Sequence, residues 1–297
     1  MTATAKAESA RPAWQIFMPP LFVLLWSSGF IVTKLGVKFA EPFTFLFYRF
    51  AIVAALFLAI ALMWRAPWPR NWRLVGHIAV LGVFLHATYL GGVYTAIALG
   101  IPAGICALIV GVQPIITGVL VGPLLGERVS PRQWFGLALG FLGIGAVLWE
   151  KLSFDMAHLT GVLWNIVGLF GMTAATLYQK KYCGLMDWRS GGAIQYGAAA
   201  IVTFIMIMVM GEAGAVDWSP EIIFAYLWLI FALSIGGVSL FGWIIRRGAA
   251  SRVASLLYLV PPTTALGAWL MFDETLGGLA LVGMVVTLAG VWLVNRA

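Results

Sequence analysis

The chain has 297 residues, 62% of them apolar and 10% charged, with a mean hydropathy of +0.98. One water-soluble core cannot hide that much hydrocarbon, so composition excludes an ordinary globular protein and leaves a polytopic membrane protein. The formal charge of +7 and pI near 9.6 come from basic residues scattered in short turns beside apolar runs, the pattern of topology determinants rather than of a nucleic-acid surface.

A helix needs roughly 20 apolar residues to cross the hydrocarbon. In chain order ten such stretches are predicted, near 14–37, 43–64, 72–99, 102–124, 131–149, 158–180, 190–211, 220–245, 249–271 and 276–295. The first has too long an apolar run for a signal sequence and no small-residue cleavage pattern after it, so it stays as helix one. The turns between stretches are short, as at Gly100-Ile101-Pro102, and leave no room for a soluble domain. The expected fold is all-α, ten transmembrane helices in one bundle.

The second half repeats the first at an offset of about 147 positions, which superposes Ala103 on Ala250, Pro114 on Pro261, Thr117 on Thr264, Glu127 on Glu274, Gly136 on Gly283 and Gly143 on Gly290. This divides the chain into one five-helix repeat over 14–150 and another over 158–297. Five is odd, so the second repeat enters the membrane from the opposite side. With the N-terminus cytoplasmic, the cytoplasmic segments hold Lys6, Arg11, Arg65, Arg70, Arg73, Arg128, Arg132, Lys180, Lys181, Arg189, Arg246, Arg247, Arg252 and Arg296, against Lys34, Lys38 and Lys151 outside. That bias orients the protein with both termini inside. Inverted repeats supply two nearly degenerate arrangements that expose a central site alternately to either side, which is transporter architecture.

Polar and aromatic side chains at mid-span face a bundle interior or a water-filled cavity. The candidate substrate-binding set is Trp26, Ser27, His86, Tyr89, Tyr94, Gln113, Trp164, Ser239, Trp243 and Tyr258. His86 carries the one side chain at mid-membrane with a near-neutral reference pKa, and Tyr89 three positions on shares its face. Tyr94, Trp164, Trp243 and Trp26 offer flat walls for stacking. Arg49, seven residues past Pro42, must pair, snorkel or face water: a ligand carboxylate is one partner, a helix end or free carbonyls another. Pro114 and the pair Pro261-Pro262 fall mid-helix at corresponding places, where each ring would free a carbonyl, and are expected to be hinges. Gly136, Gly140 and Gly143, with Gly283, Thr287 and Gly290, have the small-residue spacing of close helix packing.

Other chemistries find no support. Cys106 and Cys183 supply neither a disulfide framework nor a thiolate site, and His77, His86 and His158 lack ligand spacing, so no metal and no cofactor is expected. A Walker loop is missing, as are GxSxG and HExxH patterns, which speaks against a primary pump or an intramembrane enzyme. No Asp or Glu stands mid-span, and several converging cations, as a phosphorylated substrate would need, are lacking.

Trp26-Ser27-Ser28-Gly29-Phe30 leading to Lys34, Pro42 followed by Arg49-Phe50, Tyr94-Thr95-Ala96 running to Pro114, Gly126-Glu127-Arg128 before Gly136, and the echoes from Ala250 to Pro261 and Glu274 to Gly290 resemble the EamA-type members of the drug/metabolite transporter superfamily. The resemblance covers nearly the whole chain, and within that group the chain looks similar, by overall likeness, to the bacterial YddG-type exporters of aromatic amino acids. It implies a basket of ten helices, helices five and ten peripheral, around a central cavity. The implied function is facilitative, alternating-access export of amino acids, aromatic ones above all, and related metabolites across the bacterial inner membrane, the alternative being proton-coupled export of other small metabolites or drugs. The expected partners are that small-molecule substrate and the lipid bilayer, with no nucleic acid, and the chain is expected to act as a monomer.

Overall fold

The computed structural model describes residues 14–126, 128–149, 156–184, 186–247, 256–272 and 277–295. These form an all-helical bundle: α1 (Trp14–Gly36), α2 (Pro42–Met63), α3 (Trp72–Ala98), α4 (Ala103–Leu125), α5 (Pro131–Trp149), α6 (Met156–Tyr182), α7 (Trp188–Met210), α8 in three pieces (Pro220–Leu227, Trp228–Gly237, Val238–Arg247), α9 (Leu257–Leu259 continued by Val260–Phe272) and α10 (Gly278–Asn295). Seven of them, α1, α2, α3, α4, α6, α7 and α8, are long and apolar enough to cross a membrane. The expected first two turns of the ninth stretch, 249–255, lie outside the described residues.

The ends of the helices are written into the sequence. Asp187 caps α7 by accepting from the backbone N–H of Arg189 at 2.9 Å and of Ser190 at 3.4 Å, and Gly211 closes the same helix at φ +70°, a left-handed conformation that costs glycine nothing. Ser130 and Gln133 form a reciprocal capping box at the start of α5, with bonds of 2.9 and 3.2 Å.

Helices at equivalent places in the two halves pack on each other, α2 on α7 and α5 on α10, while α3 packs on α6 and α1 on α8 and α9. The α5–α10 contact is the predicted glycine seam. A Cβ on Gly136 would stand 2.7 Å from the Gly290 carbonyl oxygen, and one on Gly143 would stand 2.5 Å from that of Gly283. The sequence did not announce a second seam between α3 and α6, where a Cβ on Gly92 would meet the Gly168 nitrogen at 2.6 Å and one on Gly168 the Tyr89 carbonyl at 2.9 Å.

The prolines mark breaks of a different kind from those expected. α4 stops at Val110, turns through Gly111-Val112 and restarts at Gln113, so Pro114 occupies the first turn of a new helix. In α9 the 3₁₀ turn Leu257–Leu259 gives way to helix at Val260, and Pro261 and Pro262 follow at once. A first-turn proline gives up an N–H that has no intrahelical partner anyway. The two helices are broken at corresponding places, but by restarted helices and not by prolines kinking continuous ones.

At one end of the bundle the α1–α2 and α7–α8 connections are clasped together. Glu212 accepts from the Phe43 N–H at 3.0 Å, the Thr44 N–H at 2.7 Å and the Thr44 hydroxyl at 2.8 Å. Glu41 returns the favour by accepting from the Ala213 N–H at 2.7 Å. An antiparallel bridge between Ala40 and Val216 and a 2.9 Å bond from the Asp217 N–H to the Phe39 carbonyl complete the join.

Candidate functional site

α1, α2, α3 and α8 enclose a pocket near mid-bundle, with Trp26, Phe30 and Thr33 from α1, Arg49 from α2, Leu85, His86, Tyr89 and Tyr94 from α3 and Leu233 and Val238 from α8 among its walls. Its free volume is about 20 Å³, room for little more than one water. A ligand the size of an amino acid therefore enters only if the walls of the pocket give way.

Two of these walls depart from α-helical geometry where they meet the pocket. α3 is π-helical over Val83–Thr88, which carries Leu85 and His86, and α8 over Trp228–Gly237, which carries Leu233 and Ser234. Wide turns of this kind recur at functional sites because they re-aim side chains inside an otherwise intact helix.

One wall is aromatic. The Trp26 and Tyr89 rings lie nearly parallel, 8° apart with centroids at 6.3 Å, and the indole N–H donates to the Tyr89 hydroxyl at 3.1 Å. Facing them is Arg49, 1% exposed, which donates from Nη1 to the Tyr94 hydroxyl at 2.8 Å and from Nε and Nη2 to the Ser234 hydroxyl at 3.1 and 2.9 Å. His86, fully buried, stacks on Tyr196 at 3.9 Å between centroids. Neither of its ring nitrogens closes a hydrogen bond, although the Gln195 side chain stands beside it.

Leu85 and Val238 also line a second cavity of about 30 Å³, whose other walls include Gln179, Gln195, Tyr196, Ser239 and Arg246. It lies toward the α6–α7 turn, as its Met186 and Trp188 walls show. The two apolar side chains thus form the partition between an aromatic pocket and a polar vestibule.

Of the residues proposed from the sequence, the central pocket brings together Trp26, His86, Tyr89 and Tyr94. Ser239 lines the vestibule. Trp164 stands in a separate, apolar cavity of about 180 Å³ between α2, α3, α6 and α7, with its ring edge-on to Phe43. Three others serve helix contacts. The Ser27 hydroxyl donates to the Val260 carbonyl at 3.3 Å, beside the break in α9. The Gln113 amide donates to Thr117 at 2.8 Å and Thr176 at 3.2 Å, tying the restarted half of α4 to α6. The Tyr258 hydroxyl donates to the Leu137 carbonyl at 3.2 Å while its ring covers Gly140. Trp243 packs, half-buried, against the main core. Leu85, Leu233 and Val238 had no signal in the sequence, and Phe30 had only its place in the Trp26–Phe30 motif, since an apolar pocket wall and ordinary packing use the same residues. Arg49 did have one, its charge inside an apolar span.

The sequence pattern of the EamA-like transporter family matches residues 14–149 and again residues 159–296. A probable amino-acid metabolite efflux pump of Escherichia coli is 26% identical over 284 residues, covering 92% of this chain and 92% of the relative. An uncharacterized transporter of Archaeoglobus fulgidus is 26% identical over 282 residues, 93% of this chain and 95% of the relative. A solved crystal structure superposes with a TM-score of 0.74 at 18% identity, covering 96% of this chain and 98% of the other, a likeness of fold alone. Two matches of one family, together spanning nearly the whole sequence and falling on two helical halves that pack through equivalent helices, make this multi-pass membrane protein a member of the EamA-like transporter family.

Proposed function

We propose that the chain exports amino acids, aromatic ones among them, and related small metabolites across the bacterial inner membrane, moving them down their gradients by alternating access. The observation that carries this reading is the pocket itself. A contracted, largely apolar cavity with an aromatic wall, one fixed cation and one buried imidazole suits a small amphipathic ligand. The efflux-pump name of the Escherichia coli relative agrees with export of amino-acid metabolites.

In this reading all of α1 to α10 cross the membrane as two inverted five-helix repeats, 14–150 and 158–297, with both termini cytoplasmic. The vestibule then faces the cytoplasm, the Leu85–Val238 partition is the inner gate, and the Glu41–Glu212 clasp lies on the far side. Trp26, His86, Tyr89 and Tyr94 touch the ligand, and the restarted helices at Pro114 and Pro261-Pro262 supply the hinges. Proton coupling has one observation in its favour, the unbonded ring nitrogens of His86.

The test is efflux and counterflow of labelled phenylalanine, tryptophan and other amino acids from proteoliposomes, with and without an imposed proton gradient. Gradient-independent movement of aromatic amino acids is expected. Strict proton dependence would shift the reading to a coupled exporter, and no flux of any amino acid or related metabolite would refute it.

A further inference from the structure

We propose that Arg49 is the carboxylate anchor of the central pocket, and that the preferred ligands are apolar monocarboxylates for which an amino group is dispensable. The proposal rests on the exporter reading above and narrows its substrate class.

Arg49 is a buried cation with no counter-ion among the described residues. Its acceptors are two neutral hydroxyls, Ser234 taking bonds from Nε and Nη2 and Tyr94 taking one from Nη1, and no carboxylate pairs with it among the described residues. A guanidinium has five N–H groups and these bonds use three, so Nη1 and Nη2 each keep a second donor. Burying an unneutralised charge among membrane helices is costly, and such residues mark ligand or ion pathways. Tyr94 on α3 and Ser234 on α8 hold the fork from two helices while leaving its charge intact. That preorganisation suits a planar anion, which the guanidinium can grip at two points.

The rest of the pocket decides what the anion is attached to. Trp26, Phe30 and Tyr89 offer flat or apolar surface for the body of the ligand. The Thr33 hydroxyl and His86 also line the pocket, and a neutral imidazole carries one N–H that an anion can accept. No acidic side chain stands among the described lining residues. An ammonium group would meet no counter-charge and would share a low-dielectric space with Arg49, which repels it. The pocket therefore accepts an apolar anion, takes a zwitterion through its carboxylate, and rejects an apolar cation. A purely structural Arg49, stapling α2 to α3 and α8, would impose no such order.

The experiment uses the full chain in lipid nanodiscs and three probes that share a phenyl ring and a two-carbon chain: 3-phenylpropionate, phenylalanine and phenethylamine. Binding is read by calorimetry and transport by counterflow in proteoliposomes. Expected is 3-phenylpropionate binding at least as tightly as phenylalanine, and phenethylamine weaker than both by roughly 10–100-fold, the worth of a charge-assisted hydrogen-bonded contact. Arg49→Lys, which keeps the charge and loses the fork, should weaken 3-phenylpropionate by roughly 10-fold or more and leave phenethylamine unchanged. The ligand order in the unmodified protein decides the matter even if this variant does not fold. Phenethylamine binding as well as 3-phenylpropionate, or phenylalanine binding while 3-phenylpropionate does not, overturns the proposal. If none of the three binds but other metabolites are exported, the carboxylate assignment falls and the exporter reading stands; if no metabolite moves at all, both fall.

Discussion

The clasp between Glu212 and the start of α2 allows a quantitative test of how the bundle is held together. Helix starts leave four backbone N–H groups without intrahelical partners. In α2 these positions are Glu41, Pro42, Phe43 and Thr44, since the Phe45 N–H already makes the first helical bond, to the Glu41 carbonyl at 2.8 Å; Glu41 is the cap outside the helix and Pro42 has no N–H. The two that remain, Phe43 and Thr44, both go to Glu212 from the end of α7, and the buried Thr44 hydroxyl follows them. Glu212→Ala removes all three acceptor contacts together with an anion well placed against a helix dipole. A charge-assisted hydrogen bond contributes about 1.5–3 kcal/mol when its partner is left stranded, but Glu212 is only half-buried and water can replace part of the loss. A total of about 2–3 kcal/mol is expected, and about 1 kcal/mol for Glu212→Gln, which retains one acceptor oxygen. Denaturant unfolding in nanodiscs, followed by tryptophan fluorescence, measures both. A Glu212→Ala protein within about 0.5 kcal/mol of the parent would show instead that solvent caps α2 as well as the carboxylate does.

Gly143→Leu drives a side chain into the Gly283 backbone, so α5 and α10 must separate; fluorescence-detected size exclusion should show loss of the monodisperse peak, while Gly145→Leu, whose Cβ would meet nothing within 4 Å, leaves it intact. Trp26→Phe keeps most of the stacked wall but strips the Tyr89 hydroxyl of its indole donor, at a cost of about 1 kcal/mol in the same unfolding assay. At Asp187, partial burial pushes the carboxyl up, but bonds from the Arg189 side chain and the backbone of Arg189 and Ser190 outweigh it and hold the group below its ordinary value. Its contribution is therefore complete above the unfolded carboxylate range and lost as pH falls through the depressed folded value. Asp187→Asn, which keeps a capping oxygen, should cost less than about 1 kcal/mol at neutral pH, and unfolding midpoints measured across the acid range should show that difference vanish.

The bundle was largely legible because lipid punishes ambiguity: a stretch of twenty apolar residues has few places to go. The α5–α10 seam could be read from Gly136, Gly143, Gly283 and Gly290, since glycine inside an apolar helix has little to recommend it except proximity. Prolines located the symmetric breaks but not their form, because Pro114 in a kinked helix and Pro114 opening a fresh one look identical in a string of letters. At mid-span, polarity pointed equally to residues that reach the pocket, such as His86 and Tyr89, and to those that satisfy one another across helices, such as Gln113 with Thr117 and Thr176. Glu212 was readable only as an acid at the end of a span, for its partners are 168 and 169 positions away in the chain.

The π-helical turns in α3 and α8 change what motion costs in a membrane. Each stores surplus chain inside a continuous ladder of hydrogen bonds. If such a turn tightens to α geometry, one residue passes to the neighbouring segment, which then rotates by about 100° and advances by about 1.5 Å, the increment of a single helical residue. Backbone groups trade partners during that exchange and need not be bared to hydrocarbon. A helix built this way can turn a different face toward Arg49 without bending, hinging or breaking, and Leu85, His86, Leu233 and Ser234 lie in the very segments that would tighten.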